Sequence, residues 1–211
     1  MEPMTTTLVI ATHNLGKLRE FEAMRTAMIP DFPALADIAF APLGDWGGEP
    51  PEENGDTFLA NALIKARAAT RLTGLPVIAD DSGLEVTALG GAPGIYSARY
   101  AGPEADDAAN NTRLLNELAE YPQADRTARF VCALAMLRSA EDAAPMTAEG
   151  FWPGEILDAP RGTEGFGYDP LFYVPEHNCA AAELSSGIKN RISHRARALT
   201  DLMRQLGNTR F

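Results

Sequence analysis

The chain has 211 residues, 45% of them hydrophobic and 22% charged, enough apolar material for a proper core in a globular protein. Eighteen Lys and Arg against 29 Asp and Glu give a formal net charge of −11. That excludes a general nucleic-acid or acidic-membrane surface, since both polyanions would be repelled, but it leaves room for a small anionic ligand where the few cations are concentrated.

In chain order, "TTLVIAT" is β-branched and apolar and predicts a strand buried on both faces. "HNLGK" turns the chain, and "LREFEAMRTAM" then spaces Leu18, Phe21, Met24 and Met28 as one helix face. Residues 30–57 are rich in Pro, Gly and acids and predict a surface loop with one short strand. "TFLANALIKARAATRLTG" predicts a helix with Leu59, Ala62, Leu63 and Ala66 inward, capped by Asp56 or Thr57 and ended by Gly74. Asn61 and Lys65 lie four apart on it, off the apolar stripe. "PVIA" predicts a strand, Asp80-Asp81-Ser82 an acidic turn, and "GLEVTAL" a second short strand.

"GGAPGIYSARYAG" holds too much Gly and Pro for regular structure. A helix over "DDAANNTRLLNELAEY", a long strand over "TARFVCALAML" and a hairpin partner over "MTAEGFWPGEIL" follow. "PRGTEGFGYDPLFYVP" reads as a glycine-rich loop into a short strand. A final helix from about Ser193 turns Ala196, Leu199, Leu202 and Met203 inward. Alternating strands and helices predict an α/β fold, and the central hairpin predicts a mixed sheet. Cys132 sits in an apolar run as a small buried hydrophobe, and with only Cys179 beside it neither a disulfide framework nor a zinc site is expected. No signal peptide and no apolar run near the roughly 20 residues of a membrane span are visible, so the expectation is a cytoplasmic protein without a membrane or nucleic-acid partner.

Five stretches offer chemistry. "ATHNLGKL" joins strand to helix and contains Gly-Lys, but it fails the phosphate-loop pattern at Ala11 and Leu18. Backbone N–H groups at a helix start beside Lys17 still suit a polyphosphate, with an ordinary solvated turn as the equal alternative. Asp80 and Asp81 after a strand suit a Mg²⁺ ion or a general base, where a plain turn accounts for one Asp more easily than two. "EPPEENGD" is by itself a solvated acidic loop, although one member is able to reach the same metal. "GFGYDP" offers aromatic faces for a nucleobase, against a core role for Phe166 and Tyr168. "GIKNRISHRAR" gathers Lys189, Arg191, His194, Arg195 and Arg197 in an acidic chain, which suits a multiply charged anion better than a salt-bridged surface.

In order along the chain, "ATHNLGKLREF", "EENGDTFLANALIKA", "IADDSGLEVTALGGAPGIYSARYAG", "GTEGFGYDPLF" and "AAELSSGIKNRISHRARAL" resemble the Ham1-like inosine/xanthosine triphosphate pyrophosphatases. The resemblance covers nearly the whole chain, and five motifs in order are far more specific than any one. It implies one pyrophosphatase domain over 1–211 with an elongated α/β fold, whose central mixed sheet and flanking helices form two lobes around a substrate cleft. It also implies a homodimer that, with Mg²⁺, cleaves the small-molecule substrates ITP, dITP and XTP to the monophosphate and pyrophosphate, keeping deaminated purines out of DNA and RNA. Thr12, His13, Asn14, Leu15, Gly16 and Lys17 are then the phosphate-binding residues, with Lys65 as a further cation. Asp81 is proton acceptor and metal ligand, Glu53 the second metal ligand, and Ser82 touches substrate. Phe166, Gly167, Tyr168, Asp169, Lys189, His194 and Arg195 surround the nucleoside. His13 stands where glycine is frequent in the family. Spacing alone does not separate the roles of Asp80 and Asp81; the resemblance assigns the chemistry to Asp81. The rival readings are a purine-nucleotide-binding regulator without turnover, a phosphatase acting at the γ end, and a Maf-type pyrophosphatase, which fits the SHR and FGYD stretches less well.

Overall fold

A computed structural model of the chain describes residues 5–12, 15–121 and 125–209. Its seven strands are β1 (Thr6–Ile10), β2 (Ile38–Pro42), β3 (Val77–Val86), β4 (Thr127–Leu137), β5 (Met146–Ile156), β6 (Phe172–Val174) and β7 (Cys179–Ala180). They form one sheet in the order β2-β1-β3-β4-β5-β6-β7. β1 runs parallel to β2 and β3, whereas β6 is antiparallel to β5 and β7. The sheet is therefore mixed. The helices are α1 (Leu15–Met28), α2 (Phe58–Thr73), α3 (Asp107–Ala119), α4 (Ser186–Ile192) and α5 (His194–Gly207). Among the described residues no helix is long and apolar enough to cross a membrane.

The chain divides into two compact units. One comprises Met1–Asp81, Ala133–Glu149 and Arg197–Phe211, the other Ser82–Cys132 and Gly150–Ala196. In the first, Leu8, Val9 and Ile10 of β1 are buried on both faces, as the apolar run predicts. α2 begins at Thr57, whose hydroxyl accepts from the Ala60 N–H at 3.0 Å, and it ends at Gly74 in the left-handed conformation at φ 69°. Its inner face is small: Ala62 and Ala66 pack with Ala79, Ala135 and Leu137, and Ala69 packs with Val9 and Val77. Small side chains let the α2 axis sit close to the sheet. Polar residues on the flank of that helix therefore reach β3.

The second unit has an aromatic core. Phe130 lies 4.6 Å from Phe172 between ring centroids, and Trp152 lies 5.2 Å from Phe172. β5 alternates strictly here, with Trp152 and Ile156 buried and Phe151 and Glu155 outward. Leu114 and Leu118 of α3 complete the same core.

One expectation is corrected. The predicted acidic turn at Asp80-Asp81-Ser82 is the middle of a single ten-residue strand, β3. Side chains of adjacent strand residues point to opposite faces, so two neighbouring carboxylates need not share one environment and the chain has no reason to turn. The final helix, α5, starts at His194, in agreement with the expected start near Ser193; a separate short helix, α4, precedes it, with Ser193 extended at ψ 163° between them. Ala196, Leu199, Leu202 and Met203 of α5 are buried as predicted.

Candidate active site

In the first unit, each member of the Asp80-Asp81 pair has its own lysine. Lys17, just inside α1, donates to both Asp80 oxygens at 2.9 and 2.7 Å. Lys65, on the flank of α2, donates to Asp81 Oδ1 at 2.9 Å and lies 3.3 Å from Glu53 Oε1. Asp81 Oδ2 accepts from Asn61 Nδ2 at 3.2 Å. This arrangement is how two adjacent carboxylates, one of them 7% exposed, are tolerated. Each is held by a cation from a different helix, at the short distances of charge-assisted bonds.

The balance around Asp81 is not complete. Burial pushes the Asp81 carboxyl above the ordinary carboxylate value, and the Lys65 ammonium and the Asn61 amide pull it back only in part, with Glu53 adding repulsion. Burial works against the Lys65 charge too, yet Asp81 and then Glu53 and Asp80 outweigh it, so its pKa is raised. Lys65 is therefore a fixed cation, and Asp81 a carboxylate that holds a proton more readily than usual.

Glu53 and Asp81 both lie on the Lys65 ammonium, so hard oxygen donors from a loop and a strand converge on one point. Among the described residues no group of three His, Cys, Asp or Glu side chains is placed to hold a metal. Two carboxylates without a protein cage suit Mg²⁺, which keeps waters and takes the rest of its octahedron from substrate phosphates. The donor set fits that ion.

Of the other residues expected at the phosphates, Thr12 is 8% exposed at the end of β1, and Leu15 and Gly16 open α1. His13 and Asn14 lie outside the described residues. Ser82 follows Asp81 on β3 and is half-buried.

In the second unit, the loop at 165–169 is folded around a buried carboxylate. Asp169 is 2% exposed, accepts from the Phe166 N–H at 2.9 Å and pairs with the Lys189 ammonium. Gly165 sits at φ 83°, and a Cβ there would overlap the Asp169 carboxylate, so glycine is required on both counts. The loop drives the Phe166 ring outward to 61% exposure, with Lys189 Nζ 5.1 Å and Arg195 Cζ 5.8 Å from its centroid. A cavity of about 400 Å³ opens beside Phe166 and the start of α3, within the range of small-molecule sites.

Tyr168 and His194 lie deeper. Tyr168 is 4% exposed and its hydroxyl donates to the Ser97 carbonyl at 2.8 Å. The His194 ring stacks on Phe130 at 4.9 Å. Phe166 thus forms the outer face with Lys189 half-buried and Arg195 buried against it, while Tyr168 and Asp169 support it from beneath.

Three supporting residues had no role in the sequence reading. Asn61 links Asp81 to the Gly55 N–H. Asp107 and Asn111, one turn apart on α3, hold both backbone groups of Gly167: its N–H donates to Asp107 Oδ2 at 2.6 Å, and its carbonyl accepts from Asn111 Nδ2 at 2.8 Å. The available signal was small polar residues spaced four apart on a helix flank, which by itself reads as solvated surface.

A mixed sheet whose first unit bears paired lysines and carboxylates, and whose second bears an exposed ring flanked by cations, defines an α/β protein with groups in each unit suited to an anionic small molecule. Residues 8–205 match the model of the Ham1 family, and the chain belongs to that family. It is 52% identical over 200 residues to the dITP/XTP pyrophosphatase of Pseudomonas aeruginosa, covering 95% of this chain and 96% of that one. The dITP/XTP pyrophosphatase of Burkholderia pseudomallei is 52% identical, covering 96% and 94%. Among solved structures, a HAM1 protein from Coxiella burnetii matches with a TM-score of 0.89 and 44% identity, covering 97% of this chain and all of that one.

Proposed function

We propose that this chain hydrolyses the triphosphates of deaminated purines, ITP, dITP and XTP, to the nucleoside monophosphate and pyrophosphate. The observation that carries the reading is the convergence of Glu53, Asp81 and Lys65 on one point, in a chain half identical to two dITP/XTP pyrophosphatases over nearly its whole length. Thr12, His13, Asn14, Leu15 and Gly16 are the phosphate-binding stretch of the family motif; the N–H groups of Leu15 and Gly16, which open α1, suit phosphate oxygens, and Lys17 and Lys65 neutralise them. Glu53 and Asp81 would hold Mg²⁺, which when bound withdraws electrons from the phosphates and offsets charge on the leaving group. Asp81 accepts the proton of a water that attacks the α-phosphorus in line. The bond from that phosphorus to the bridging oxygen breaks, and the electron pair leaves with pyrophosphate.

Ser82 contacts the bound nucleotide beside Asp81. The nucleoside lies against Phe166, with Gly167, Lys189, His194 and Arg195 around it and Tyr168 and Asp169 fixing the loop. Hypoxanthine and xanthine present an acceptor at O6 where adenine presents an amino group. A donor aimed at that position is left unpaired by adenine, which is the costly case. The protein acts as one domain, as a cytoplasmic homodimer. The test is purified protein with Mg²⁺ and ITP, dITP, XTP or ATP, with the products resolved. IMP with pyrophosphate from ITP, and slow turnover of ATP, supports the reading. IDP with orthophosphate, or saturable binding without turnover, overturns it.

A further inference from the structure

Asn61 is wholly buried, at 0% exposure, one turn into α2, where its N–H donates to the Thr57 carbonyl. Asparagine is a poor helix former, and a buried amide must find partners for both its ends. Both are found, and neither is in the helix. Asn61 Oδ1 accepts from the Gly55 N–H at 2.9 Å, and Nδ2 donates to Asp81 Oδ2 at 3.2 Å. The partners fix which way the amide faces: a backbone N–H only donates and an ionised carboxylate only accepts, so the oxygen must face Gly55 and the nitrogen Asp81.

Gly55 is two residues after Glu53. The loop lies so close to α2 here that a Cβ on Gly55 would fall 2.7 Å from Asn61 Oδ1 and 2.8 Å from the Ala60 Cβ. One side chain therefore fastens the loop that carries Glu53 to the strand that carries Asp81. Asp81 is also gripped at both oxygens from one helix flank, Oδ2 by Asn61 and Oδ1 by Lys65 at 2.9 Å, one turn apart. Lys65 is a cation that a polyphosphate competes for. Asn61 is neutral, so it keeps its hold on Asp81 when Lys65 turns to a phosphate and adds no charge to repel a metal ion.

We propose that Asn61 is a positioning residue that sets the Glu53 loop and the Asp81 carboxylate at the separation one divalent cation requires. This rests on the reading of Glu53 and Asp81 as the metal pair. Partners of metal ligands are typically worth about 10- to 100-fold in metal affinity.

The experiment titrates Mn²⁺, followed by its electron paramagnetic resonance signal, into protein saturated with α,β-methylene-ITP, an uncleavable analogue. The variants are Asn61→Leu, Gly55→Ala and Glu53→Gln. Leucine fills the space and favours helix, but it offers no partner to Gly55 or Asp81. Gly55→Ala disturbs the same link from the loop end without touching Asp81, and it decides the matter if Asn61→Leu fails to fold. Both are expected to raise the Mn²⁺ Kd by about tenfold or more, with metal-free binding of the analogue changed less than about twofold. A merely structural role would weaken both together. If Glu53→Gln raises the Mn²⁺ Kd while the link variants stay within about twofold of wild type, the inference about Asn61 is overturned and the metal reading stands. If Glu53→Gln also leaves it unchanged, the metal reading itself falls, and the inference with it.

Discussion

Asp81 sits where burial and a neighbouring cation pull in opposite directions, and burial prevails. Its carboxyl therefore keeps a proton to higher pH in the folded chain than in the unfolded one. Between those two pKa values the folded state carries more protons, so folding stability falls as pH rises through that interval. The contribution is whole below the ordinary carboxylate value and lost above the folded-state value. Asn at this position carries no such proton. In chelator, the thermal midpoint of Asp81→Asn should thus gain on wild type as pH rises from the ordinary carboxylate value through the raised folded-state value, as differential scanning calorimetry reads it. A gap that is constant or shrinks with pH would mean that Lys65 outweighs burial. The same variant should lose about a hundredfold or more in turnover of ITP, the scale of losing a positioned base. Near-normal pyrophosphate release would remove Asp81 from the chemistry and leave Asp80 as the candidate.

At the scale of elements, the aromatic loop depends on a helix remote from it in sequence. α3 holds Gly167 by both its N–H and its carbonyl, through Asp107 and Asn111. Hydrogen bonds of this kind are worth about 0.5–1.5 kcal/mol each. Replacing both residues with Ala should therefore loosen the Phe166 platform and raise KM for ITP by about tenfold, with kcat little changed, since Asp81 is not touched. Steady-state kinetics checks this, and an equal fall in kcat would place α3 in the chemical step instead. None of this support was legible in the sequence. The caps at Thr57 and Gly74, the buried β1 and the inward face of α5 were, because each follows from local periodicity or a residue's own conformational preference. The motifs also carried the convergence of Lys65, Glu53 and Asp81. Asn61, Asp107 and Asn111 were silent because their partners are backbone groups or carboxylates on other elements, and no spacing rule connects them. The break at Asp80-Asp81 was misread for the opposite reason: charge in a strand looked local, while its compensation came from Lys17 and Lys65 at distances of 63 and 16 residues.

At the scale of the whole molecule the question is how a chain of net charge −11 captures a polyanion. A surplus of basic residues at long range is not the answer, because acids outnumber bases overall. The site cations are also compensated nearby: Lys17 by Asp80, Lys65 by Asp81 and Glu53, and Lys189 by Asp169. Seen from beyond about 10 Å, the Debye length near 0.1 M salt, the protein is an acidic body that weakly repels its substrate. On the proposed function, attraction begins only at contact, where lysines exchange carboxylate for phosphate in a partly dry site and salt screens little. Added salt consequently weakens the distant repulsion at least as much as the close attraction. The kcat/KM for ITP with saturating Mg²⁺ should then fall by no more than about twofold between low and physiological ionic strength, and a modest rise is equally consistent. A steep loss, about tenfold over that range, would show instead that exposed cations steer the nucleotide from afar. Arg191 and Arg197, the exposed bases of the 189–197 cluster, would then be the residues that steer it.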